Sequence, residues 1–313
     1  MARNIKTFER YAIKSFPPNK SLDSIQRNEI MLHSYLSDHP HIIRLEKIVT
    51  TANNWTHAVL EYGSEGDLFS AITEKNLYYG NHKLIKSVFL QLIVAVRYCH
   101  DNHIFHRDLK PENILVFNKG HHIKLTDFGL ATTDTLSTDF GCGSTFYFSP
   151  ECLNNKRVAY ATAPNDVWAL GIILINLSAG RNPWRLASLN DDTFCAFVHD
   201  PNILLKILPI SSELNHILQR ILCLDPSQRI SLNELYTSIQ QCTYFTRTPE
   251  VIQYEDLSLS PPITPERDMS SSISSSSSYS SSVTTTDEGK NHVDYLFPKK
   301  GENLDSHYIQ VMI

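Results

Sequence analysis

Apolar and polar positions divide the chain into a strand-rich beginning, a helix-rich middle and a polar end. Tyr11 to Phe16 is rich in aromatic and branched residues and is stopped by Pro17-Pro18, which predicts a strand. Apolar residues at 22, 25, 32, 35 and 36 recur near helical spacing and predict a helix over 22–36. Ser37-Asp38-His39-Pro40 should close it, because proline disfavours helix in the residue before it. Ile42 to Thr50 and Trp55 to Glu61 read as two strands around a polar turn at Asn53-Asn54. After Gly66 the pattern changes. Leu68 to Ile72 starts a short helix, and Leu84 to Cys99 is apolar on most faces and therefore predicts a buried one. Ile114 to Phe117 and His122 to Thr126 are short strands about the turn Asn118-Lys119-Gly120. Asp166 to Leu177 is a second, nearly all-apolar helix. Further helices are expected over 193–197, 203–207, 212–222 and 231–241, punctuated by Pro209 and Pro226.

From about residue 248 the composition shifts, and residues 270–282 hold 11 serines in 13 positions. Such a tract buries too little apolar surface to offset its ordering entropy, so disorder is expected to the C-terminus. Thr248-Pro249, Ser260-Pro261 and Thr264-Pro265 are proline-directed phosphorylation candidates. Apolar residues make up 42% of the whole chain, enough for a sizeable core. A formal net charge of -5 with scattered basic residues argues against a nucleic-acid partner. The six cysteines show no C-x-x-C spacing and read as thiols of a reducing compartment. The longest apolar run, Val167 to Leu177, is too short to span a bilayer. No signal peptide is read at the N-terminus, so a monomer in cytoplasm or nucleus, away from membranes, is the expectation.

One stretch carries chemistry: His106-Arg107-Asp108-Leu109-Lys110-Pro111-Glu112-Asn113. Asp127-Phe128-Gly129 and Ser149-Pro150-Glu151 follow it. Together they resemble the catalytic loop, metal-binding segment and following motif of eukaryotic Ser/Thr protein kinases. The likeness covers residues 1 to about 245, with weaker similarity to the fungal Ran/Sks/Vhs kinases in Gly141 to Glu151 and Asp166 to Leu177. It implies an α+β, bilobal kinase-like fold. Residues 1–62 would form a truncated N-lobe, 63–245 a mainly helical C-lobe and 246–313 the Ser-rich tail.

The resemblance also implies roles, with ATP and Mg²⁺ as cofactors and proteins bearing Ser or Thr acceptors as substrates. Asp108 would orient the substrate hydroxyl and accept its proton. Lys110 would place charge near the transferred phosphoryl, and Ser144 would hydrogen-bond both. Asn113 and Asp127 would hold magnesium. Lys14, in Tyr11-Ala12-Ile13-Lys14, would contact phosphates and pair with Glu29 on the next helix. Ala12 and Leu115 would line the roof and floor of the adenine pocket. Leu60 would guard its depth, and backbone near Glu61 and Gly63 would meet the base. Asp67 would bind ribose or cap a helix; the sequence leaves both open. Glu151 would pair with Arg229 inside the C-lobe. Asp166 would begin the central helix and hold the catalytic loop, while His106 and Phe128 would pack between lobes. Glu112 and Asp67 would favour arginine upstream of the acceptor.

Arg107 raises the question of control. Phe140 falls where many relatives carry a phosphorylated threonine. Asp139 is expected to supply a built-in charge, with Ser137 and Thr138 as competing phosphosites. One part of the family pattern is missing. The glycine-rich loop should precede the strand lysine, yet only thirteen residues precede Lys14 and none is glycine. An omitted upstream exon, a fragment and a short protein with weakened nucleotide binding remain open. The alternative to an enzyme is a non-catalytic scaffold or an inactive fragment.

Overall fold

The computed structural model describes residues 1–18 and 23–259. The smaller lobe comprises β1 (Ala2–Arg3), β2 (Arg10–Phe16), α1 (Asp23–Leu36), β3 (Leu45–Thr50) and β4 (Thr56–Glu61). Its sheet is antiparallel in the order β1-β2-β4-β3, with Lys14 opposite Ala58 and Ala12 opposite Leu60. A small core of Phe16, Ile43, Ala58 and Leu60 lies beneath the sheet, and Ile30 of α1 packs on it.

The larger lobe begins with α2 (Leu68–Thr73) and α3 (His82–Asp101). The hairpin β5 (Ile114–Phe117) and β6 (His122–Leu125) follows, then β7 (Leu136–Ser137), α4 (Pro150–Leu153) and β8 (Tyr160–Ala161). The central helix is α5 (Thr162–Ala179), and α6 (Asp192–His199), α7 (Ile203–Ile207), α8 (Ser212–Ile221), α9 (Leu232–Gln241) and α10 (Pro249–Leu259) complete the lobe. An apolar run with no polar stripe can be satisfied only by burial on all sides. Accordingly Leu170, Ile172, Ile173, Leu174 and Ile175 of α5 are wholly enclosed.

Two expectations are corrected. The helix read from Asp166 starts at Thr162. Pro164 had masked that start, but it sits in the first turn, where the missing N–H would have had no helical partner. The strand read from Ile42 starts at Leu45. Residues 41–43 spend their backbone groups on the other lobe instead: Leu125 N–H donates to His41 O and Ile43 N–H to Leu125 O, both at 2.9 Å. Past residue 246, where the tail is expected, the chain forms α10. Thr246 and Val251 are buried, and the Glu255 carboxylate accepts the Ser212 N–H at 2.9 Å, fastening α10 to α8. The serine tract and the Ser260-Pro261 and Thr264-Pro265 candidates lie outside the described residues.

Candidate active site

Asp166, fully buried on α5, anchors the loop between α3 and β5. Its carboxylate accepts the N–H of His106 and of Arg107, each at 2.8 Å, and His100 Nε2 lies 2.9 Å from it. These bonds offset the left-handed backbone of Arg107, whose φ of 63° is costly for a residue with a Cβ. Asp166 therefore performs its expected supporting task, from the helix's second turn rather than its beginning. The Asp108 N–H donates to His106 Nδ1 at 3.3 Å, and His106 Nε2 lies 3.2 Å from Thr126 O. With Nδ1 accepting, Nε2 is the nitrogen placed to donate to Thr126 O. His106 is also packed 5.2 Å from the buried Phe128 ring, which supports a structural part for both.

Asp108, Lys110 and Ser144 close a triangle. The Ser144 hydroxyl donates to Asp108 Oδ1 at 2.9 Å, Lys110 Nζ donates to Ser144 Oγ at 2.8 Å, and Lys110 Nζ lies 2.9 Å from Asp108 Oδ2. Asn113 is turned by its amide nitrogen, which donates to Asp108 O at 2.9 Å and Oδ2 at 3.1 Å. Gly143 is what lets Ser144 come this close. Its φ is +114°, and a Cβ there would lie 2.8 Å from Arg107 O.

Lys14 joins the lobes. Its ammonium pairs with Glu29 of α1 and with Asp127 Oδ1, the latter at 2.9 Å. Burial disfavours the ammonium, but the Asp127 and Glu29 carboxylates outweigh this and hold its pKa above the usual range. Burial raises the Glu29 carboxyl, and Lys14 only partly offsets it. Asp127 also has a left-handed backbone, φ 65°.

Between these groups lies the lobe junction. Ala12, Leu60 and Leu115 belong to one apolar cluster, so the expected roof, depth and floor residues are together. A Cβ on Gly63 would fall 2.9 Å from Leu115 Cδ1, so glycine lets the chain pass close to this apolar side chain. The Glu61 N–H is spent on Arg44 O at 2.9 Å and its carboxylate on Lys124 at 2.7 Å. Asp67 caps α2, accepting the Ser70 N–H at 2.7 Å, which realises one of its two candidate tasks. Glu151 and Arg229 form the expected ion pair, each side chain 1% exposed, with Nη1–Oε1 at 2.6 Å.

His33 was not anticipated. It lies one helical turn beyond Glu29 on the buried face of α1, its Nε2 2.7 Å from Ile43 O and its ring 5.0 Å from Phe128. A polar residue four places after Glu29 within an apolar stripe was the available signal.

The donor set suits a hard cation bridged to phosphate. Asn113 and Asp127 offer oxygen, the preference of magnesium, which commonly binds one or two carboxylates and completes its shell with phosphate and water. Among the described residues no group of three or more His, Cys, Asp or Glu side chains could hold a metal alone. Lys14 adds a fixed positive charge, and Ala12, Leu60 and Leu115 supply an apolar cluster beside it. These residues fit a nucleotide triphosphate with its magnesium.

A two-lobed molecule with these groups at its junction has the architecture of a phosphotransferase. The protein kinase domain family matches residues 1–245, and the chain belongs to that family. It is 48% identical over 261 residues to the Schizosaccharomyces pombe protein "Negative regulator of sexual conjugation and meiosis", covering 76% of this chain and 55% of that one. It is 37% identical to the Saccharomyces cerevisiae serine/threonine-protein kinase VHS1, over 74% and 53% of the two chains. Against SKS1 of the same yeast the identity is 36%, over 80% and 55%. The chain thus spans about half the length of the curated relatives it matches.

Proposed function

We propose that the chain transfers the γ-phosphoryl of Mg-ATP to serine or threonine hydroxyls of proteins. The Asp108–Lys110–Ser144 triangle carries this reading. Asp108 accepts the hydroxyl proton and, with Ser144, fixes the direction of the attacking oxygen. Lys110 is already within reach of both and supplies positive charge beside the oxygen as negative charge develops. Bound at Lys14, Asn113 and Asp127, Mg-ATP supplies the phosphoryl group and neutralises its charge. Lys14 orients the phosphates, and Glu29 keeps its ammonium directed at Asp127. Ala12, Leu60 and Leu115 present the apolar cluster for the base. Glu112, exposed two residues after Lys110, together with Asp67, favours an arginine upstream of the acceptor; a peptide array without basic preference refutes that refinement.

The reading is supported by similarity to the yeast proteins named as serine/threonine kinases. Likeness to the S. pombe regulator supports a role restraining conjugation and meiosis. The test is γ-phosphate transfer from labelled ATP to serine, threonine and tyrosine peptides, with Asp108→Asn as control. Transfer to serine or threonine, at least a thousandfold above Asp108→Asn, is expected. Transfer no faster than that control would favour the non-catalytic scaffold instead.

A further inference from the structure

The segment between Asp127 and Ser144 is tied to the catalytic loop by the Phe105–Thr132 backbone pair, and beyond it by one guanidinium. Arg107 Nε donates to Leu130 O at 2.7 Å, while Nη1 donates to Ser137 Oγ and to Asp139 Oδ2, both at 2.9 Å. The Arg107 side chain is 9% exposed and Asp139 58%. A buried cation thus meets a carboxylate that reaches in from the surface. The attachment is local and closed. The Asp139 N–H donates to Ser137 Oγ at 3.1 Å, and Ser137 sits in β7, paired with Tyr160 of β8. On the other side, the Gly141 N–H donates to Cys152 O at 3.1 Å, and the Phe140 ring lies 5.6 Å from Tyr160.

We propose that Asp139 is a positioning residue whose carboxylate holds this segment and the catalytic loop in their working arrangement, so that no phosphate on the segment is needed. The inference rests on the kinase reading above. Phosphate on an activation segment acts by pairing with arginine. Here the arginine already has an anion. The competing acceptors are placed unequally. Ser137 is buried, and its oxygen is committed to Arg107 and to the Asp139 N–H. Thr138 is exposed, and Phe140 has no hydroxyl. The consequence for Asp108 runs through the backbone. Arg107 immediately precedes it and holds a left-handed φ of 63°. Releasing the guanidinium loosens the residue that aims the Asp108 carboxylate.

The test uses the full chain in three forms: wild type, Asp139→Ala and Asp139→Glu. Each is treated with a broad phosphatase, and absence of phosphate is confirmed by mass spectrometry. Two readouts are taken: kcat and the KM for ATP, and amide hydrogen exchange over residues 130–142. Wild type is expected to keep its activity after phosphatase. Asp139→Ala should lose at least tenfold in kcat with KM for ATP changed less than threefold, and its segment should exchange at least tenfold faster. Asp139→Glu should recover at least half of the wild-type kcat and most of the protection. Loss of wild-type activity on dephosphorylation, with phosphate mapped to Thr138, overturns the proposal. Unchanged exchange in Asp139→Ala also overturns it. A wild type that transfers no phosphate refutes the kinase reading, and hydrogen exchange then still decides whether Asp139 anchors the segment.

Discussion

Lys14 on β2 lies 2.9 Å from Asp127, which follows β6 in the other lobe, so this ion pair spans the junction where the nucleotide is proposed to bind. The same ammonium meets Glu29 on α1. Sheet, helix and metal-binding segment are thereby registered against one another by one cation.

Lys14→Met removes that cation. Phosphoryl transfer should fall at least about a hundredfold, the scale found when one preorganised electrostatic group is deleted. The stability change should be near 1 kcal/mol, because Lys14 is about one-third exposed and solvent screens the pair. Steady-state kinetics beside thermal unfolding separate the two effects.

Arg229→Ala should behave in the opposite manner. It strands the Glu151 carboxylate in the core and should cost about 3–5 kcal/mol by urea unfolding. Replacing both partners by apolar residues of similar size should recover much of that loss.

His33 predicts an acid limit. Burial, opposed only in part by the Ile43 carbonyl, lowers its pKa to about 4 from the ordinary 6.5. Above pH 6.5 both folded and unfolded chains hold it neutral, and it contributes no pH dependence. As pH falls from 6.5 toward 4 the unfolded chain takes up a proton that the folded chain refuses. Stability should therefore drop by up to about 3 kcal/mol across that window. Denaturation at pH 7.5 and 5 should show the drop in wild type and a smaller one in His33→Leu.

Gly143→Ala should leave the fold intact and impair the chemistry. The new methyl would press on Arg107 O and lies 3.3 Å from Asp108 Oδ1, in a backbone conformation that L side chains rarely adopt. A loss of about a hundredfold in kcat is expected, since misplacements near 1 Å reach that scale. Circular dichroism should match wild type.

Val251→Asp tests the extended boundary of the large lobe. The side chain is 1% exposed, so the substitution should cost about 3 kcal/mol or more in chemical unfolding. Were 246 the true edge of the lobe, it would cost nothing.

What could be read from the sequence was whatever is local. Asp108, Lys110 and Asn113 occupy one octapeptide, whereas the Lys14–Glu29 partnership, like that of Glu151 with Arg229, was implied only by the resemblance to the kinase family. The buried helices betrayed themselves by apolar runs. Ranges failed where partners are distant or signals are mixed. Residues 41–43 look like strand because they are apolar, yet their backbone partners lie on β6, some eighty residues away. The pairing of β7 with β8 involves two residues from each, too few for any periodicity. Helix α10 adjoins a polar segment whose composition conceals one buried valine. His33 looks unremarkable until its neighbours are Phe128 and a carbonyl from beyond its own helix.

The Glu151–Arg229 pair has a further consequence, in the order of folding. Its partners are 78 residues apart in sequence. Closing so long a loop must precede the reward, so contacts of this kind slow folding and come late. During synthesis Glu151 emerges well before Arg229 and stays hydrated until that arginine arrives. Until then the segment leading to Ser149 lacks the anchor that this pair gives its C-terminal end. Only when α9 is about to form does the ribosome release the cation that completes it, so that end is secured after the chain has nearly finished its large lobe.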